Sequence, residues 1–118
     1  LPDGPQDTNY GCMGGLVRLP IKDRDILVYS NCDSPGGRHH GTVWTSFDGG
    51  RTWPLKRLVF EGSFAYSSLT AGRPKTNSEG WIYVHFEGGP QGGSTVARFN
   101  LSWLLNGRDI TTLLGKTR

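Results

Sequence analysis

Three side chains in this sequence could act together on an anionic ligand: Arg38, Tyr66 and Glu87. A guanidinium presents a planar fork of N–H donors that matches a carboxylate, and Arg38 comes directly before a strand-like run. A phenol has a pKa of about 10, so it becomes a nucleophile only beside a base. Glu87 adds a carboxylate at the end of another strand-like run. By their types alone, an arginine could bind a carboxylate and a tyrosine could supply a nucleophile.

Each of these residues also has an ordinary interpretation. Arg38 can be a solvated loop residue, Tyr66 a strand aromatic, and Glu87 a charge at a strand end. His39 and His40 look like a metal-binding pair, but adjacent strand residues point to opposite faces and no acidic or cysteine residue has ligand spacing. These two histidines are therefore interpreted as loop or rim residues, at most in contact with a bound molecule. Neither a metal nor a cofactor is expected.

Short antiparallel strands must position these residues. The 118-residue chain has 18 glycines, roughly twice the usual share of about 7%, and little helical periodicity. The patterns predict strands at about 14–19, 25–31, 41–46, 55–60, 64–70, 81–87 and 95–100, and a helical turn at 102–105 that stops at Asn106-Gly107. The sequence therefore predicts an all-β antiparallel fold.

Composition and charge exclude two classes of partner. The net charge is only +3, and the basic residues are dispersed, so nucleic-acid binding is not expected. No apolar run approaches 18 residues, so no membrane span is expected. The chain begins Leu1-Pro2-Asp3-Gly4, which is interpreted as a processed or excised end.

Residues 46–53, with the sequence S-F-D-G-G-R-T-W, predict a tight hairpin. Asp-Gly-Gly allows positive φ at the tip, and the Ser, Asp and Thr oxygens can accept bonds from turn amides. Trp53 can then fold over the turn. The pattern S-x-D-x-G-x-T-W between apolar strands resembles the Asp box, or BNR repeat, of sialidase-type β-propellers. In those proteins it closes the outer hairpin of a blade and has no catalytic role.

The order of motifs along the chain extends this resemblance. The chain resembles the C-terminal part of bacterial-type exo-sialidases, or neuraminidases, in the order of four motifs. These are an arginine in Arg38-His39-His40-Gly41-Thr42, the Asp box, Ala65-Tyr66-Ser67-Ser68-Leu69 and a strand ending in Glu87. The resemblance implies a six-bladed β-propeller of four-stranded blades. One blade would cover about 9–61, with its Asp box at 46–53, and part of the next about 62–105. Fewer than two blades cannot close a propeller, so the chain is expected to be one piece of a larger one. A free-standing β-sandwich is the rival architecture.

The resemblance also implies a role for each candidate residue. Arg38 matches the third of three arginines that clamp the sialic acid carboxylate. Tyr66 matches the nucleophile of a glycosidase that cleaves terminal sialic acid with retention, and a neutral phenol approaches that anionic sugar without charge repulsion. Glu87 matches the glutamate that steadies the first arginine.

The family's other catalytic groups have no match in this chain. The acid/base aspartate, the glutamate that activates the tyrosine and the first two arginines would lie upstream of Leu1, so the chain alone is expected to be inactive. Its expected partners are the N-terminal rest of the propeller and a sialylated glycan. A non-catalytic Asp-box propeller that binds glycans or proteins remains an alternative. A glycosidase for another acidic sugar would keep Arg38 but alter the pocket.

Two further features favour a secreted or lumenal glycoprotein. Cys12 and Cys32 would lie nearly opposite each other on the first hairpin, which predicts a disulfide, with two buried thiols as the alternative. Asn100-Leu101-Ser102 forms an N-glycosylation sequon.

Overall fold

The computed structural model describes residues 12–114. Six antiparallel strands follow one another in chain order and pair as neighbours in a single sheet. They are β1 (Gly15–Arg18), β2 (Leu27–Cys32), β3 (His39–Ser46), β4 (Leu55–Ala71), β5 (Trp81–Gly88) and β6 (Ser94–Asn100), and α1 (Leu101–Leu105) and α2 (Ile110–Leu114) follow them. The predicted all-β antiparallel fold is confirmed. Residues 9–11 of the predicted first blade lie outside the described residues.

Strand β4 joins two parts of the sheet. Its first half pairs with β3 up to the Ser63–His39 pair, and its second half pairs with β5 from the Phe64–Gly88 pair onward. The sequence predicted two strands here, separated near Gly62. Because backbone partners are available on both sides of this point, the chain stays extended, and β4 is one strand of 17 residues. The prediction of seven strands is therefore wrong, since two of them are continuous.

One hydrophobic core packs the two parts of the sheet together. Along β5, Ile82, Val84 and Phe86 are buried and alternate with more exposed residues, as expected for a strand with one buried face. The ring of Phe86 stacks on that of Phe64 in β4, with centroids 4.3 Å apart. The core cluster comprises Leu19, Ile26, Val28, Cys32, Val43, Phe47, Leu55, Phe64, Ile82, Val84, Phe86, Phe99 and Leu104.

Gly41 allows β3 to lie against the ring of Phe64. A Cβ atom at this position would come within 1.8 Å of the ring. No side chain fits at such a distance, so the residue at position 41 must be glycine for Phe64 to pack as it does. This contact fixes the start of the β4 segment that carries Tyr66.

Two serine hydroxyls join the inner strands. Ser30 Oγ of β2 and Ser67 Oγ of β4 are buried and lie 2.8 Å apart. Ser30 Oγ also accepts a hydrogen bond from Gly15 N at 3.1 Å, and Ser67 N donates to Met13 O at 3.0 Å. These contacts join β4, at the residue after Tyr66, to β2 and to the segment that begins β1.

The turn after β3 forms the predicted self-capped hairpin. Ser46 Oγ donates to Asp48 Oδ1 at 2.8 Å, and Thr52 donates to the Asp48 carboxylate from its backbone N at 2.9 Å and from its hydroxyl at 2.6 Å. The Thr52 bonds come first among the causes that lower the pKa of Asp48 to about 2. The Asp48 carboxylate is therefore occupied inside the turn.

Trp53 closes this hairpin, also as predicted. Its indole Nε1 donates to Gly50 O at 3.0 Å, and its ring lies edge-on to Tyr29 with centroids 6.3 Å apart. Gly49 and Gly50 have φ values of 70° and 96°, which explains why the tip requires glycine.

Cys12 and Cys32 come together as predicted, but as thiols. Their sulfur atoms lie 3.9 Å apart, well beyond the disulfide bond length of about 2.05 Å. The Cys32 thiol donates instead to Phe64 O at 2.9 Å. The predicted disulfide is therefore wrong for this structure.

The residues after β6 form two short helices. Asn100 of the predicted sequon caps α1, since its side-chain Oδ1 accepts a hydrogen bond from Trp103 N at 2.9 Å. Asn106 ends α1 with φ of 49°, which confirms the predicted stop. The sequence did not predict α2. Neither helix in the described part of the chain has the length and apolar character needed to span a membrane.

Candidate functional site

Arg38 and Tyr66, predicted from separate segments, lie beside each other. The guanidinium carbon of Arg38 stands 5.4 Å from the centroid of the Tyr66 ring, and both residues are exposed. For Tyr66 the exposed fraction is 47%, which is high for an aromatic residue within a strand. Tyr66 is therefore not packed in the core of the part of the chain that the structure describes.

A backbone hydrogen bond links the segments that carry these two residues. Phe64 N of β4 donates to Arg38 O at 3.0 Å. The loop between β2 and β3 is thereby tied to β4 two residues before Tyr66. Because this bond involves only backbone atoms, residue types alone did not indicate it.

A bulge in β4 turns Tyr66 outward. Phe64 pairs with Gly88 and Ser67 with Phe86, so three steps along β4 match two steps along β5. Phe64 and Ser67 both point into the interior, and Tyr66 between them faces solvent. Bulges re-aim side chains in this way and are frequent next to active sites.

Glu87 shares a surface depression with Tyr66. The depression has a volume of about 200 Å³, and Glu87 is exposed within it near the end of β5. Met13 and His85 also line it, and sequence reasoning missed both. His85 could have been found, because it lies two residues before Glu87 and so on the same face of β5. Met13 carries no comparable signal.

His39 and His40 are not on opposite faces, so that expectation is wrong. His40 has φ of 59°, and the register of β3 with β4 shifts between His39 and Gly41. This backbone turn brings the two rings to the same side, with centroids 4.8 Å apart and the two Nδ1 atoms separated by 2.6 Å.

The two imidazoles make a hydrogen bond in a geometry that does not fit a metal. Two nitrogen ligands of one tetrahedral zinc ion would be separated by roughly 3.3 Å, given Zn–N distances near 2.0–2.1 Å. The observed separation of 2.6 Å is too short for that arrangement. Within residues 12–114, no three His, Cys, Asp or Glu side chains cluster as metal ligands would.

The arrangement can bind an anion next to a nucleophile. The Arg38 guanidinium can donate to a carboxylate in bidentate fashion, and the Tyr66 ring lies 5.4 Å from its central carbon. Tyr66 and Glu87 also line the open depression beside them, whereas Arg38 lies outside its lining.

Comparisons with known proteins find sialidases, although no family model matches the chain. The chain is 39% identical over 79 residues to a sialidase of Micromonospora viridifaciens, which covers 67% of this chain and 11% of that protein. It is 35% identical over 66 residues to a sialidase of Bacteroides fragilis (strain YCH46), and this match covers 50% of this chain and 12% of that protein.

A solved structure agrees with these relatives. The Hadza microbial sialidase Hz136 superposes with a TM-score of 0.65 and 30% identity, over 79% of this chain and 18% of that one. This match supports the partial propeller predicted from the sequence. The chain spans less than a fifth of the length of each of these proteins.

Proposed function

Because this chain belongs to the sialidase family, we propose that the protein of which it forms part is a retaining exo-sialidase that hydrolyses terminal sialic acid from glycoconjugates. The observation that carries this proposal is the Arg38 guanidinium above the exposed ring of Tyr66. Sialic acid bears a carboxylate on its anomeric carbon. A site for this sugar therefore needs a group that binds the carboxylate next to a nucleophile. Arg38 can supply the first and Tyr66 the second.

Tyr66 acts as the nucleophile in this proposal. Its phenol passes its proton to a base as its oxygen attacks the anomeric carbon, and the departing glycosidic oxygen takes a proton from an acid. Water then attacks the same carbon and gives a proton to the deprotonated acid, while the released phenol oxygen takes its proton back from the base, so two displacements retain the configuration. A phenol suits this substrate because, unlike a carboxylate, it is uncharged when protonated and is not repelled by the sugar's carboxylate.

The other groups have supporting roles. Arg38 binds the carboxylate of the sugar, and Glu87 orients a further arginine of the clamp. The acid, the base for the phenol and the other arginines come from the N-terminal part of the propeller, so the chain alone would not turn over substrate. Blades at about 9–61 and 62–105 would place these groups around one axis.

Two further points belong to the same proposal. The hairpin at residues 46–53 acts as an Asp box that closes the outer edge of its blade, since its polar groups are occupied within the turn. The protein is secreted or lumenal, where sialylated glycans are found.

Full-length protein with Tyr66→Phe provides the test. Turnover of a fluorogenic α-sialoside should fall by at least about a thousandfold, because the phenol oxygen that attacks is absent. Binding of free sialic acid, measured by calorimetry, should persist because the ring still fills its place. Tyr83→Phe on β5 is the matched control and should leave turnover unchanged.

Three results would contradict the proposal. Full turnover in Tyr66→Phe would remove the residue from the reaction. Binding of sialylated glycans by the unaltered protein without any hydrolysis would favour the non-catalytic propeller, and cleavage of a different acidic sugar would favour the related glycosidase.

A further inference from the structure

We propose that His39 and His40 form a hydrogen-bonded pair that positions Arg38 over Tyr66 and thereby sets the affinity of the site for a carboxylate. The inference rests on the proposed role of Arg38 in binding the ligand. It starts from the contact between the two imidazoles, whose Nδ1 atoms lie 2.6 Å apart. A hydrogen bond at this position requires one ring with a proton on Nδ1 and one ring without.

Ser34 determines the direction of this hydrogen bond. Ser34 Oγ lies 2.9 Å from Gly36 O, to which only its hydroxyl proton can donate. The same oxygen lies 3.2 Å from His39 Nε2 and must therefore accept a hydrogen bond from the N–H group at that nitrogen. A neutral His39 with its proton on Nε2 has an unprotonated Nδ1, so His40 donates to His39. The result is a directed chain of bonds from His40 through His39 to Ser34 and Gly36.

This chain of bonds restrains the loop on the N-terminal side of Arg38. The backbone bond from Phe64 N fixes the carbonyl of Arg38. On the other side of Arg38, Gly36 and Gly37 are exposed, and Gly37 has φ of 104°. Glycines in an open loop sample many conformations unless side-chain bonds restrict them. The bonds of Ser34 and His39 provide that restriction on the Gly37 side of Arg38.

The backbone of His40 is held by hydrogen bonds that do not involve the imidazole pair, so the His40 ring can restrain the loop through His39. His40 O accepts hydrogen bonds from Asp33 N at 2.9 Å and from Thr42 Oγ1 at 2.8 Å. The His40 ring therefore projects from a rigid position, and His39 next to Arg38 is held against it.

Substitutions of His40 in the full-length protein can separate backbone from side-chain effects. Glycine tolerates the positive φ and removes the ring, whereas asparagine tolerates the same φ and keeps an N–H donor. We expect His40→Gly to weaken binding of free sialic acid about fivefold, the equivalent of one typical hydrogen bond. KM should rise by the same factor with kcat nearly unchanged, because the carboxylate is held in both the bound and the transition state. His40→Asn should restore most of the affinity.

A double-mutant cycle distinguishes positioning from general stabilisation. If His40 acts through Arg38, the effect of His40→Gly on affinity should disappear in an Arg38→Ala background. Equal effects in both backgrounds would overturn the inference. If Arg38→Ala alone changes neither affinity nor KM, the proposed role of Arg38 in binding is wrong. This outcome differs from failure of the positioning role of His40, so the experiment distinguishes the two.

Two additional measurements test the inference without turnover, and the second of them also does without the glycine variant. Crystal structures should show the Arg38 guanidinium displaced from Tyr66 in His40→Gly and retained in His40→Asn; retention in both would overturn the inference. Ser34→Ala breaks the far end of the chain of bonds without touching the positive-φ residue. It should also weaken binding of sialic acid, and unchanged affinity would contradict the inference.

Discussion

The buried hydroxyl groups of Ser30 and Ser67 lie 2.8 Å apart directly behind the strand position of Tyr66. Ser67 neighbours Tyr66, and Ser30 also accepts a hydrogen bond from Gly15 N. The Ser30 hydroxyl thus connects β1, β2 and β4 through two hydrogen bonds, next to the position of the candidate nucleophile. This relationship gives the exposed Tyr66 a rigid support.

Removing this contact should destabilise the fold. Ser67→Ala leaves the Ser30 hydroxyl with one partner fewer in a buried place, which should cost about 1–3 kcal/mol in the free energy of unfolding. Urea denaturation of the full-length protein measures the change. Ser68→Ala is the matched control because Ser68 is exposed. Equal stability of the two variants would show that the buried pair contributes nothing.

Gly41→Ala should be strongly unfavourable for packing. The added Cβ would come within 1.8 Å of the Phe64 ring, so β3 and β4 must separate or the ring must leave the core. Overpacking of this kind costs about 1–3 kcal/mol, and sometimes more. Gly62→Ala is the control, because its Cβ would meet only the outer ring atoms of Phe60, at 3.0 Å. Thermal melting of both variants tests the prediction, and equal melting temperatures would refute it.

Asp48 should affect stability in acid and leave turnover intact. Its pKa is lowered from 3.8 to about 2 in the folded protein, so its ionised form is favoured by folding. The stabilisation is therefore complete above pH 4 and is lost as the pH falls from about 4 to 2. The free energy of unfolding of the wild type and of Asp48→Asn is measured by urea denaturation between pH 6 and 2. The difference between the two values should shrink as the pH falls through this interval. A constant difference, or lost turnover with an unchanged melting temperature, would contradict the assignment.

Arg38 should be needed for affinity in a way that lysine cannot replace. Arg38→Ala should raise KM for a sialoside by roughly tenfold or more, because a charge-assisted bidentate contact is removed. Arg38→Lys should recover only part of the loss, since an ammonium lacks the planar fork. Arg24→Ala, in the exposed turn between β1 and β2, is the control. Identical KM values for the Arg38 and Arg24 variants would exclude a role in binding.

The hairpin at residues 46–53 could be predicted in detail from the sequence. Its bonds connect groups at most four residues apart, such as Thr52 with Asp48, so residue types at fixed spacing nearly determine the geometry. The end of α1 at Asn106 was predictable for the same reason. In both cases the interaction is local and does not depend on distant parts of the chain.

Contacts between distant segments were predicted less well. The resemblance to sialidases selected Arg38, Tyr66 and Glu87, and the structure adds the backbone bond and the bulge that expose Tyr66 beside Arg38. The roles of these residues stay predictions. Cys12 and Cys32 do meet, but the predicted bridge is wrong for this structure, since their sulfur atoms lie 3.9 Å apart.

Local patterns therefore determined which turns form and which faces of the strands are apolar, because these depend on neighbouring residue types and a period of two. Tertiary structure alone decided that β4 runs without a break and that His39 and His40 face each other. His40 adopts φ of 59° where β3 shifts its register against β4. No residue type near His40 demands that conformation, since it accompanies pairing with residues of β4 that lie 19 to 24 positions further along the chain.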